Sequence, residues 1–96
     1  MENPIKGLNR YFESRVRLGV MSVLSVNEWV DFSTLKEILE VTDGNLASHI
    51  RALEEQEYLE VRKQFVARKP KTTYRITSSG GAAFKAHLAA LESLLH

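Results

Sequence analysis

The chain has no cysteine among its 96 residues. That removes disulfide frameworks, thiol nucleophiles and thiolate metal sites together, and it suits a reducing compartment. No apolar run approaches the roughly 20 residues that a membrane-spanning helix needs. The opening stretch, MENPIKGLNRYFESR, lacks the apolar segment of a secretory signal. A cytoplasmic protein outside the membrane is therefore expected. Histidine is scarce: only His49, His87 and His96 occur, and none pairs with another at the helical spacing of a ligand pair. Neither a metal nor another cofactor is expected. Glycine-rich phosphate loops, a nucleophile elbow and clustered carboxylates are all missing, which weighs against an enzyme.

The last absence is local. Residues 1–60 carry Lys6, Arg10, Arg15, Arg17, Lys36 and Arg51 against eleven acids, whereas residues 61–91 carry Arg62, Lys63, Arg68, Lys69, Lys71, Arg75 and Lys85 against none. A net charge of +1 hides this asymmetry. An acid-free basic stretch is the electrostatic footprint of a phosphate-backbone partner, although a solvated surface is the alternative.

The length suits one domain over residues 1–96, since domains commonly span about 100 to 200 residues. Apolar residues recur at helical spacing from Tyr11 to Val26, which predicts a first helix. Trp29 to Phe32 is aromatic and β-branched and reads as a brief strand. A second helix is expected from about residue 34 to 40, with Ser33 as its N-cap. The turn cluster Val41-Thr42-Asp43-Gly44-Asn45 then opens a third, over 43–56, capped by Thr42 or Asp43. At about 100° per residue, Leu46, Ile50 and Leu53 share one face of it, while Gly44, Ser48, Arg51 and Glu55 point the other way.

Past Tyr58 the period changes to two. Leu59, Val61, Lys63 and Phe65 alternate with Glu60, Arg62 and Gln64, and a second alternation runs from Thr72 to Thr77. Between these strands, Val66 to Lys71 reads as a long basic loop containing Pro70. Thr77 or Ser78 caps a last helix that reaches Leu95, with Phe84, Leu88, Leu91 and Leu95 as an apolar seam. The fold class is thus α+β, mainly α: helix, short strand, two helices in tight succession, a two-stranded wing and a C-terminal helix. This is the order of a winged helix-turn-helix.

The landmarks within VDFSTLKEILEVTDGNLASHIRALEEQEYLEVRKQFVARKPKTTYRITSSG, residues 30–80, follow a family pattern. They are F-x-x-L-K-E at Phe32 to Glu37, T-D-G-N-L-x-S-H-I-x-x-L at Thr42 to Leu53, Y-x-x-V at Tyr58 to Val61, P-x-T-x-Y at Pro70 to Tyr74, and T-x-x-G at Thr77 to Gly80. In these features the chain resembles the winged-helix DNA-binding domains of small MarR-like and ArsR-like bacterial and archaeal regulators. The resemblance implies that Thr42 to Arg51 enter the major groove and that the 66–71 wing follows a phosphate strand or the minor groove. It also implies that residues 1–26 and 78–96 supply dimerisation helices. Where the family usually has a cation after the final glycine, this chain has Gly81.

The candidate DNA-binding residues are accordingly Thr42, Asp43, Gly44, Asn45, Ser48, His49 and Arg51, with Arg68, Lys69 and Lys71 in the wing. Asn45 suits adenine but equally suits a cap, and His49 lies near the buried edge, open to packing or to DNA. Arg51 suits a base edge or a phosphate. The seam Phe84, Leu88, Leu91 and Leu95 is the candidate homodimer interface. A two-fold dimer would recognise an inverted-repeat operator in double-stranded DNA, its reading helices about 34 Å apart. The sequence picks out no small-molecule effector. A winged-helix protein-protein interaction module of a transcription-related complex is the alternative, and the acid-free wing favours DNA over it.

Overall fold

The computed structural model describes residues 1–96 throughout. Near the amino terminus two polar side chains compete for backbone N–H groups and divide what the apolar spacing predicts as one helix. Asn9 accepts from the Tyr11 N–H at 2.9 Å and starts a 3-10 turn over Arg10–Phe12. Ser14 then accepts from the Arg17 N–H at 3.3 Å and starts helix α1, Arg15–Ser25. The first helix therefore begins four residues later than Tyr11.

Strand β1 is only Val30–Asp31, and helix α2, Phe32–Leu39, follows directly. Ser33 lies inside α2 and is not its cap. Asp31 takes that position, and its carboxylate accepts from the Thr34 hydroxyl instead of from a backbone N–H. Three residues, Glu40 to Thr42, separate α2 from helix α3, Asp43–Glu55. Glu40 closes α2 in the left-handed region at φ 53°. Thr42 is the N-cap of α3 and accepts from the Asn45 N–H at 3.2 Å.

Strands β2, Leu59–Val66, and β3, Lys69–Ile76, form an antiparallel hairpin, and β1 adds to β3 to give the order β1-β3-β2. The expected long basic loop over 66–71 is not there. Val66 pairs with Lys69, so the connection is just Ala67 and Arg68, with φ 52° and 65°. Positive φ at both central residues is what a tight type I′ hairpin turn requires. No Asn-Gly signal announces that turn in the sequence, and Pro70 reads there as a break in the ladder. Pro70 is tolerated because β1 pairs only with Thr73 and Tyr74, leaving β3 with an open side beyond them.

Helix α4, Ser78–Ser93, is capped by Thr77, whose hydroxyl accepts from the Gly80 N–H at 2.9 Å. Gly80 meets the backbone just before β2 at close range: a Cβ there would sit 2.2 Å from the Tyr58 carbonyl oxygen, so only glycine fits. Gly81, by contrast, faces open space, and a larger side chain would be accommodated.

Val20, Met21 and Leu24 of α1, Leu35 of α2, and Leu46, Ile50 and Leu53 of α3 meet Leu59 and Tyr74 of the sheet in one core. Phe12 and Phe84 join them edge to face, with ring centroids 5.7 Å apart. Phe84 is thus a core residue and not part of a surface seam, because the 3-10 turn brings Phe12 against it. Leu88 and Leu95 of the expected seam are exposed, and Leu91 is half-buried. His87 is also buried: its Nδ1 accepts from the Asn9 N–H at 2.9 Å, and the ring packs on Phe12. The molecule measures 59 × 25 × 21 Å.

Candidate nucleic-acid interface

Helix α3 is anchored along one face and free along the other. Leu46, Ile50 and Leu53 are buried, whereas Gly44, Ser48, Arg51 and Glu55 are exposed. Thr42, Asp43 and Asn45 crowd the first turn and are exposed as well. Two of these already have structural partners. The Thr42 hydroxyl is committed to the cap, and the Asp43 carboxylate lies 2.9 Å from Lys36 Nζ of α2. The Asn45 backbone N–H satisfies Thr42, which leaves its side-chain amide free for other work. The positive end of the α3 dipole sits at this same exposed turn, where it favours an anion.

His49 is half-buried on the flank of α3 facing α1. Its Nδ1 accepts from Arg17 Nε–H at 2.9 Å. Desolvation, and then the adjacent Arg17 guanidinium, hold it below the usual histidine range. An imidazole that accepts at Nδ1 carries its proton on Nε2, so the ring is kept neutral with a donor on its outer edge. In the sequence Arg17 has the look of any cation on the outside of an amphipathic helix. Only the crossing of α1 and α3 reveals the pair.

The hairpin supplies the second surface. Every residue from Val61 to Lys71 is exposed. The register places Lys69, Lys71, Arg62 and Arg75 on one face, away from the core, because directly opposed residues of an antiparallel pair share a face. Lys63 lies on the other face, and Arg68 occupies the turn. The three expected wing cations therefore do not share one loop, and Arg62, Lys63 and Arg75 of the flanking strands join them.

Arg62 and Arg75 flank Trp29, their guanidinium carbons 4.3 and 4.7 Å from the ring centroid. Arg75 also meets Glu60 at 2.6 Å. This stack braces the base of the hairpin against the residue preceding β1. Among exposed cations of the ribbon, Lys63, Arg68, Lys69 and Lys71 form no salt bridge within the chain. No group of His, Asp and Glu side chains is arranged to hold a metal ion, and no helix is long and apolar enough to cross a membrane.

A family model for the winged helix DNA-binding domain matches residues 16–95. An uncharacterised protein of Methanocaldococcus jannaschii is 38% identical over 79 residues, which cover 82% of this chain and 86% of that protein. Among solved structures, a transcriptional regulator homologue from Pyrococcus horikoshii superposes with a TM-score of 0.85 at 33% identity, covering 96% of this chain and 89% of the other. A PadR family transcriptional regulator from Eggerthella lenta gives 0.69 at 27% identity, covering 83% and 79%. A MarR family regulator from Silicibacter pomeroyi, at 15% identity and a TM-score of 0.65 over 97% and 64% of the two chains, shares the fold. The chain belongs to the winged-helix DNA-binding domain family and has the fold of its transcriptional regulators.

Proposed function

We propose that this protein is a homodimeric, sequence-specific transcriptional regulator of the cytoplasm that binds duplex DNA carrying an inverted repeat. In this reading α3 lies in the major groove and the β2–β3 wing follows the backbone or minor groove. The observation that carries it is the juxtaposition of an exposed polar face on α3 with a ribbon whose cations Lys63, Arg68, Lys69 and Lys71 form no salt bridge within the chain. A groove about 12 Å wide admits a helix and offers a distinct donor and acceptor pattern for each base pair. Ser48 and Arg51 on that face suit base edges, with Asn45, Gly44 and the Nε2–H of His49 beside them. Arg68, Lys69 and Lys71 suit phosphates, where they act regardless of sequence.

The dimer in this proposal is built from the outer side of α4. Leu88 and Leu94 are each 44% exposed and Leu95 is 82% exposed, and Ile5 of the amino-terminal segment adds 60%. Large apolar side chains left in water on a small domain are what self-association covers. Replacement of Leu88 and Leu95 by glutamate is expected to give monomers in sedimentation experiments with the fold intact.

Binding is tested by titrating fluorescent genomic duplexes at several salt concentrations. The regulator reading predicts affinity that falls steeply with salt, because each phosphate neutralised releases counterions. Duplex affinity no better than that of a neutral control protein at low salt would refute it and favour a protein-binding role for the same domain.

A further inference from the structure

The wing ends in an apolar plate for which the fold has no use. Phe65 is 79% exposed, and the register sets it directly opposite Pro70, so ring and pyrrolidine share one face of the ribbon. They stand one residue pair from the Ala67-Arg68 turn. Neither packs on the core cluster, and β1 stops at Thr73 and Tyr74, so no third strand reaches them. The ribbon beyond that level runs four further residue pairs, on the order of 14 Å at about 3.4 Å per residue. The tight turn closes the tip, Lys63 shares the plate's face, Arg68 occupies the turn, and Lys69 and Lys71 adjoin Pro70 from the opposite face. Residues 61–91 contain no carboxylate to offset them.

An exposed aromatic ring bordered by cations is complementary to an apolar slot enclosed by anions. In duplex DNA that slot is the gap between two base pairs, reached between phosphate strands. We infer that Phe65, backed by Pro70, is a wedge that enters the minor groove, partly unstacks one base step and bends the duplex. The inference rests on the regulator reading above and adds to it a specificity-determining residue at the wing. Size supports it. Strand backbones in a ribbon lie about 4.8 Å apart before side chains are counted, whereas the undistorted minor groove is only about 6 Å wide. A tip of this breadth enters where the groove has been opened, and an apolar wedge opens it by kinking the duplex toward the major groove. Flexible pyrimidine-purine steps yield most easily, so Phe65 selects TpA or CpA steps without a hydrogen bond to any base.

The test uses two duplexes labelled with a dye pair at their ends. One carries TpA steps about one helical turn apart, and the other carries A-tracts there. A 2-aminopurine at the TpA step reports unstacking. The intact protein is expected to raise both energy transfer and 2-aminopurine emission on the TpA duplex at saturation. Phe65→Ala, at a position too exposed to disturb folding, loses both signals and roughly tenfold in affinity while keeping the salt dependence. Phe65→Leu retains most of the bend, and Arg68→Ala weakens binding but bends fully at saturation. Equal bending by the parent and Phe65→Ala, or no preference for TpA over A-tract, overturns the wedge and leaves the regulator reading standing. Failure of the intact protein to bind either duplex at low salt overturns both. Binding of Phe65-bearing tips to anionic vesicles or to a second copy of the chain, with no change in DNA shape, would also overturn it.

Discussion

Helix α3 and the β2–β3 ribbon are neighbours built on opposite terms. Around α3, Leu46, Ile50 and Leu53 are locked in the core while Ser48 and Arg51 stand in water a half-turn away. Along the ribbon from Val61 to Lys71 nothing is buried on either face. One surface is therefore held in a single register by packing, as base reading demands. The other is held by its backbone ladder and, at its base, by Arg62 and Arg75 on Trp29, which leaves its tip able to follow a phosphate path.

The sharpest break in this comparison comes from deleting apolar bulk on each side. Leu53→Ala is expected to cost about 3 kcal/mol in denaturant unfolding, since it opens a cavity in the core. Phe65→Ala should cost less than about 0.5 kcal/mol, because its ring is in water before and after unfolding. Similar costs for the two would mean that the ribbon packs in solution. Next in size, Thr42→Ala removes the α3 cap and should cost about 1 kcal/mol, with a matching drop in helical signal on heating. In the opposite direction, Ala67→Gly relieves a left-handed alanine in the turn and should raise stability by about 0.5 to 1 kcal/mol.

The smallest effect is one of pH. His49 is held below its unfolded value, so as pH falls through about 6.5 the unfolded chain takes the proton first. Stability is then greatest above that value and declines toward the folded one. His49→Gln should flatten this decline in unfolding curves recorded between about pH 7.5 and 5. An unchanged slope would mean that His49 is not the group that sets this decline.

Much of the fold is legible in the sequence because hydrophobic period and capping residues are local. The order of elements and the buried stripe on α3 follow from spacing, and the start of α4 at Thr77 or Ser78 from the capping residues there, of which the structure uses Thr77. The wing is not legible in that way, for an equally physical reason. A type I′ turn with Ala-Arg at its centre lacks the usual Asn-Gly, and the strand pairing that sustains it is invisible to local pattern. The split of the first helix depends on Asn9 and Ser14 capturing backbone donors. Phe84 and His87 are drawn inward by Phe12, a partner most of the chain away. Arg17 beside His49, and Arg62 and Arg75 beside Trp29, are pairs that only tertiary crossing creates.

The central claim is a division of labour, with α3 reading base edges and the cations of the wing anchoring on phosphate. It is tested most directly by the salt dependence of duplex binding for two variants. Arg68→Ala with Lys69→Ala should reduce the slope of log affinity against log salt by about 0.9 for each phosphate no longer neutralised, and leave the ranking of sequences unchanged. Ser48→Ala should change that ranking and keep the slope. Equal effects of both variants on slope and ranking would contradict the division.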